Sequence, residues 1–127
     1  MRVLVCGDRN WVDGKLIENR LLEIHFEPYM AGFKGQITHI IAGEARGADT
    51  LAKTFAARHE FKYLGFPALW GQYGKAAGPI RNQQMLDEGR PDLVLAFHDD
   101  IEHSKGTGDI VRRARKAGIP VEVISHG

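Results

Sequence analysis

A chain of 127 residues with 43% apolar and 26% charged side chains can bury one core and has the composition of an ordinary folded domain. A formal net charge of +1 speaks against a strongly basic nucleic-acid module, and Cys6, the single cysteine, excludes an intrachain disulfide or a cysteine-built metal site. No apolar run has the length of a membrane span and the opening MRVLVCGD turns polar too soon for a signal peptide, so a cytoplasmic protein without membrane contact is expected.

In chain order, VLVC (Val3 to Cys6) is a short continuous apolar run ending at Gly7, the pattern of a strand buried on both faces. Asp13 caps a helix whose apolar residues Ile17, Leu21 and Ile24 recur at helical spacing, and which ends before Pro28. THIIAG supplies a second strand, closing on Gly43. Ala48, Leu51, Ala52, Phe55 and Ala56 then follow the i, i+3, i+4, i+7, i+8 stripe of an amphipathic helix. FKYLGFP reads as a third strand stopped by Pro67. In YGKAAGPIRNQQML, Gly78 and Pro79 set the entry of a further helix, with Arg81 and Asn82 in its first turn. DLVLAF is a fourth buried strand, HDDIEHSKGTGD a polar loop, Ile110, Val111, Ala114 and Ala117 mark a last helix, and IPVEVI a last strand.

Five strands alternating with four helices predict a parallel sheet covered on both faces, with right-handed crossovers. No repeat, linker or low-complexity tract divides the chain, so residues 1–127 are read as one domain. Ligands of such folds lie beyond the carboxyl ends of the strands, where strand order reverses. The segments that follow the strands are rich in glycine, charge and hydroxyl groups: Gly7-Asp8-Arg9, then Gly43-Glu44-Ala45-Arg46-Gly47-Ala48-Asp49, then the loop holding Ser104, Lys105, Gly106 and Thr107.

Both GEARGAD and SKGT precede helix starts, where free N–H groups and the helix dipole favour an anion. Tight turns and caps would explain either loop alone. The two together, with Arg9 and Arg81, favour phosphate binding. Neither G-x-x-x-x-G-K-[ST] nor G-x-G-x-x-G occurs, so the P-loop and the ordinary dinucleotide fingerprint are both absent. Asp8, Asp49 and Asp109 are suited to ribose hydroxyls or acid–base work, and equally to helix caps. The acidic loop with His98, Asp99, Asp100, Glu102 and His103 lacks a ligand spacing and reads as solvated, so no metal or cofactor is expected. Trp70 and Tyr73 are in place to stack on a base, but read first as aromatics packed under a loop; Cys6 reads as inert core.

MRVLVCGDRNW, IIAGEARGADTLA, WGQYGKAAGPIRNQQML and SKGTGD, in that order, resemble the YspA/YpsA-related branch of the SLOG superfamily, named after the DNA-processing protein Smf/DprA and the plant Lonely guy phosphoribohydrolases. The resemblance implies a Rossmann-like α/β/α domain with strand order 3-2-1-4-5 that binds nucleotides or their derivatives. Its ligand residues would be Gly7, Asp8, Arg9, Gly43, Arg46, Gly47, Asp49, Gly78, Arg81, Asn82, Ser104, Gly106 and Thr107. In the Lonely guy enzymes an arginine and acidic residues after a P-G-G-x-G-T loop support cleavage of a nucleotide's N-glycosidic bond. Arg81 and Asp109 match in position and would be catalytic if this chain were such an enzyme, but the loop reads HSKGTGD and Ile110 replaces the second acid.

The expected function is therefore binding of a nucleotide-derived ligand, as a sensor or accessory protein. A phosphoribohydrolase comes second and DprA-like single-stranded DNA binding third. The third draws on Lys105, Arg112, Arg113, Arg115 and Lys116, a stretch that a solvated helix face also explains. Relatives pair through helices, which leaves self-association open, although no seam is legible.

Overall fold

In the computed structural model, which describes residues 1–33 and 35–127, the apolar runs form a five-stranded, all-parallel sheet. The strands are β1 (Arg2–Gly7), β2 (His39–Ala42), β3 (Lys62–Gly65), β4 (Leu93–Phe97) and β5 (Val121–Ile124). Their order is β3-β2-β1-β4-β5, as predicted, with Val3 aligned to both Ile40 and Leu93.

Continuous apolar strands arise here because the sheet is covered twice. Val3 and Val5 of β1, with Leu93, Leu95 and Phe97 of β4, face α1 (Gly14–Phe26) and α2 (Ala48–Arg58). Leu4 and Cys6, with Val94 and Ala96, face α4 (Ala77–Asp87) and α5 (Gly106–Lys116). Successive side chains of a strand point to opposite faces, so burial on both sides demands an apolar residue at every position. The helices supply matching stripes: Ile17, Leu21 and Ile24 from α1, Ile110, Val111 and Ala114 from α5. Asp13 caps α1 as expected, accepting the Leu16 N–H at 3.0 Å.

One segment differs from expectation. Between β3 and β4 the chain first makes a four-residue helix, α3 (Trp70–Tyr73), and a 3₁₀ turn (Gly74–Ala76) that runs directly into α4 at Ala77. Gly78 and Pro79 therefore lie inside the first turn of α4 rather than at its entry, and Arg81 lies in the second turn. Proline in a first turn forfeits no helical hydrogen bond, so nothing obliges the helix to begin at it.

Candidate functional site

Strand order reverses between β1 and β4, and a crevice of about 390 Å³ opens beyond their carboxyl ends. Gly7, Asp8, Arg9, Arg46, Asp49, Arg81, Asn82, Ser104, Gly106 and Thr107 all line it. Gly43 and Gly47 do not, but each shapes a wall. Gly43 is where Arg81 arrives: its carbonyl accepts the Arg81 Nη1–H, and a Cβ there would strike the guanidinium. Gly47 precedes α2 with φ 75° and ψ −126°, and its bare Cα lets the backbone of Asp8 and Arg9 pass against it. The Asp8 carbonyl then accepts the Ala48 N–H at 3.2 Å, joining the β1–α1 loop to the start of α2. Gly78 is elsewhere, beside Trp70, where a methyl group would lie 3.4 Å from Cη2 of the indole.

Arg81 is half-buried, and its position is fixed by carbonyls. Besides Gly43 it reaches the Phe66 carbonyl at 3.4 Å, while its Nε–H donates to Asn82 Oδ1 at 3.0 Å. Burial holds the guanidinium below its ordinary pKa, with Asp49 pulling the other way. Asn82, only 4% exposed, donates onward to the Gly106 carbonyl at 3.3 Å and to Asp109 at 3.0 Å. Asp109 stands behind the crevice, bound to Arg113 Nε at 2.8 Å. It thus orients Asn82, and through it Arg81, and does not line the crevice itself. Ser104 Oγ accepts the amides of Thr107 and Gly108, at 3.1 and 3.4 Å, and so acts as the cap of α5.

Wall residues that stood outside the expected ligand set include Cys6, Asn10, Lys105 and His98. His98 Nδ1 accepts the Asp100 N–H at 2.9 Å, which leaves the ring proton on Nε2. Cys6 lies on the crevice floor, but burial drives its thiol far above the usual range and it is no nucleophile. Trp70 and Tyr73, read from sequence as packed, are 50% and 42% exposed.

The charges are unbalanced. Arg9, Arg46, Arg81 and Lys105 face the crevice, and none has a carboxylate within 4.0 Å among the described residues. The carboxylates present are Asp8 and Asp49. Asp49 accepts the Ala45 N–H at 3.1 Å, yet burial pushes its pKa up to about 6. Raised above the ordinary 3.8, this group favours folding most below that value, and the benefit is lost as pH rises through about 6. Urea unfolding at pH 4 to 7 should therefore show wild type losing up to ~3 kcal/mol relative to Asp49→Asn, the equivalent of about two pKa units. Parallel pH profiles for the two proteins would rule out the buried, proton-binding carboxyl.

A clasp ties the segment after β5 to the loops after β1 and β4. His126, beyond β5, stacks on Trp11 with ring centroids 4.5 Å apart, and its two nitrogens lie 2.9 Å from Asp99 and 2.9 Å from Asp13. Those hydrogen bonds, first to Asp99 and then to Asp13, raise the imidazole pKa and depress both carboxyls. The clasp is complete where all three groups are charged. It weakens as pH rises through the raised histidine value, and again as pH falls through the depressed aspartate values. In an NMR titration the His126 ring should titrate above 6.5, and Asp99→Asn should bring it back down. An unchanged value in that variant would deny the pairing.

A family model for the YspA, cpYpsA-related SLOG family matches residues 1–73. This chain belongs to that family. Similarity also extends past the matched region: the Gene 61 protein of Mycobacterium phage D29 is 39% identical over 128 residues, covering 94% of this chain and 93% of its own. The chain superposes on DNA processing protein A (DprA) from Streptococcus pneumoniae with a TM-score of 0.73 at 19% identity. That match covers 99% of this chain but 50% of DprA. UDP-GlcNAc 2-epimerase from Neisseria meningitidis, solved bound to UDP-GlcNAc, gives a TM-score of 0.53 at 20% identity, covering 98% of this chain and 32% of the epimerase. These two structures share the fold. Among the described residues no helix is long and apolar enough to cross a membrane.

Proposed function

We propose that residues 1–127 act as one ligand-binding domain that takes a nucleotide or nucleotide-derived phosphorylated molecule at the carboxyl ends of the strands, as a sensor or accessory protein. One observation carries this reading: four cationic side chains, without a carboxylate within 4.0 Å among the described residues, converge on a single crevice between the starts of α2 and α5. A half-buried guanidinium is costly unless compensated, and a phosphate between two helix N-termini compensates it. The crevice volume is in the range of small-molecule sites. Membership of the SLOG family and the nucleotide-sugar complex of the epimerase support the same class of ligand.

The hydrolase reading draws less support. Cleavage of an N-glycosidic bond needs a carboxylate facing the developing oxocarbenium ion, and Asp109 faces Arg113 instead. DNA binding in the manner of the DprA neighbour would require a longer positive track than one crevice.

Isothermal titration against nucleoside monophosphates, ADP-ribose and NAD tests the proposal. Saturable binding of at least one, weakened by Arg81→Ala, is the expected outcome; an inert panel would end it.

A further inference from the structure

Beside the crevice lies a second recess, of about 580 Å³, walled by Arg9, Gly43, Glu44, Arg46, Trp70 and Arg81. It shares Arg9, Arg46 and Arg81 with the crevice, so the two form one continuous surface that passes across the Arg81 guanidinium. We infer that this recess is a base subsite, in which the Trp70 indole stacks on the ring of a nucleotide whose phosphate occupies the main crevice. The inference rests on the phosphate reading above and adds the part of the ligand that Trp70 would recognise.

Three features of the recess converge. Trp70 is 50% exposed and belongs to a helix, α3, that contributes no buried residue, so this large ring is not filling a core. Its indole lies alongside Gly78 of α4, where an added Cβ would come to 3.4 Å from Cη2. An aromatic surface offered to solvent beside arginines is the pairing that holds planar bases: every base has a π-face, and guanidinium groups stack on it as well.

The second feature is Glu44, which holds a left-handed backbone (φ 62°) that non-glycine residues adopt at a cost. That conformation keeps its carboxylate on the rim, where Oε1 accepts the Tyr63 hydroxyl at 3.0 Å and Oε2 lies 3.2 Å from Lys53 Nζ. Two partners hold this acceptor still, and its remaining lone pairs suit an amino group of a base or a ribose hydroxyl.

The third feature is the boundary between the two spaces. The guanidinium of Arg81 is anchored from behind, through the Gly43 carbonyl and Asn82. Arg81 lines both spaces, which gives a mononucleotide two points of contact on one anchored arginine.

The experiment titrates AMP, GMP, CMP, UMP and ribose 5-phosphate into wild type, Trp70→Ala and Trp70→Phe. At least one nucleotide should bind wild type about 5- to 150-fold more tightly than ribose 5-phosphate, the range that base–aromatic stacking supplies. Trp70→Ala should erase that advantage and leave ribose 5-phosphate binding as it was, and Trp70→Phe should keep most of it. Nucleotides and ribose 5-phosphate binding wild type equally would overturn the base subsite while the phosphate reading stood. So would a Trp70→Ala variant that kept the nucleotide preference, or one that lost both ligands alike. If neither the nucleotides nor ribose 5-phosphate bind wild type, both readings fall together.

Discussion

Arg81→Ala should weaken binding of a phosphorylated nucleotide by about 10- to 150-fold, the factor that corresponds to losing ~1.5–3 kcal/mol of charge-assisted hydrogen bonding. Much of the effect follows from how the guanidinium is held. The Gly43 and Phe66 carbonyls and Asn82 Oδ1 fix it before any ligand arrives, so binding spends little on ordering it. Arg81→Lys separates charge from geometry. An ammonium retains the positive charge but cannot fork among three acceptors, so lysine should recover only part of the affinity. Arg81→Ala also removes the cation that holds the Asp49 pKa down, so that value should climb further above about 6. A titration in which Arg81→Ala binds as tightly as wild type would remove Arg81 from the site. Far-UV circular dichroism on the same sample establishes that the variant is folded.

The sheet was legible because burial on two faces leaves a mark in one dimension: VLVC, HIIA and LVLAF carry no polar break, and alternation with helices marked the sheet as parallel, while the strand order came from the family resemblance. The crevice loops were legible for a related reason, since glycine and charge gather where strands end. The partners of each side chain were harder to see. Asp109 was matched by resemblance to a catalytic acid, for the case of an enzyme, and equally read as a helix cap; Arg113 stands four residues on, at the spacing of a helical ion pair, and that signal marks where its carboxylate points. Trp70 was read as packed because apolar rings usually are; the chain from Trp70 to Ala76 instead folds as helical turns that bury no residue. The His126 clasp joins residues 113 and 27 positions apart, a pairing that no local pattern encodes.

Gly47→Ala should cost ~3 kcal/mol or more, combining left-handed backbone strain with overpacking against a neighbouring chain segment. With φ 75° and ψ −126° the position lies where side chains are strained whatever the space around them, and here the space is filled as well. A Cβ would meet the backbone of Asp8 and Arg9, which cannot retreat cheaply because the Asp8 N–H is held by the Phe97 carbonyl at 3.0 Å. The loop must therefore shift, breaking the bond from Ala48 N–H to the Asp8 carbonyl and carrying Arg9 away from the crevice. Loss of stability and loss of ligand binding should appear together in this variant, the first read from the urea midpoint and the second by calorimetry. Gly106→Ala is the matched control at the other helix start. No atom lies within 4 Å of a Cβ placed there, and alanine is the better helix former, so stability should hold or rise slightly. If both glycines tolerated alanine equally, the close passage of the β1–α1 loop over Gly47 would not be what joins the two halves of the crevice.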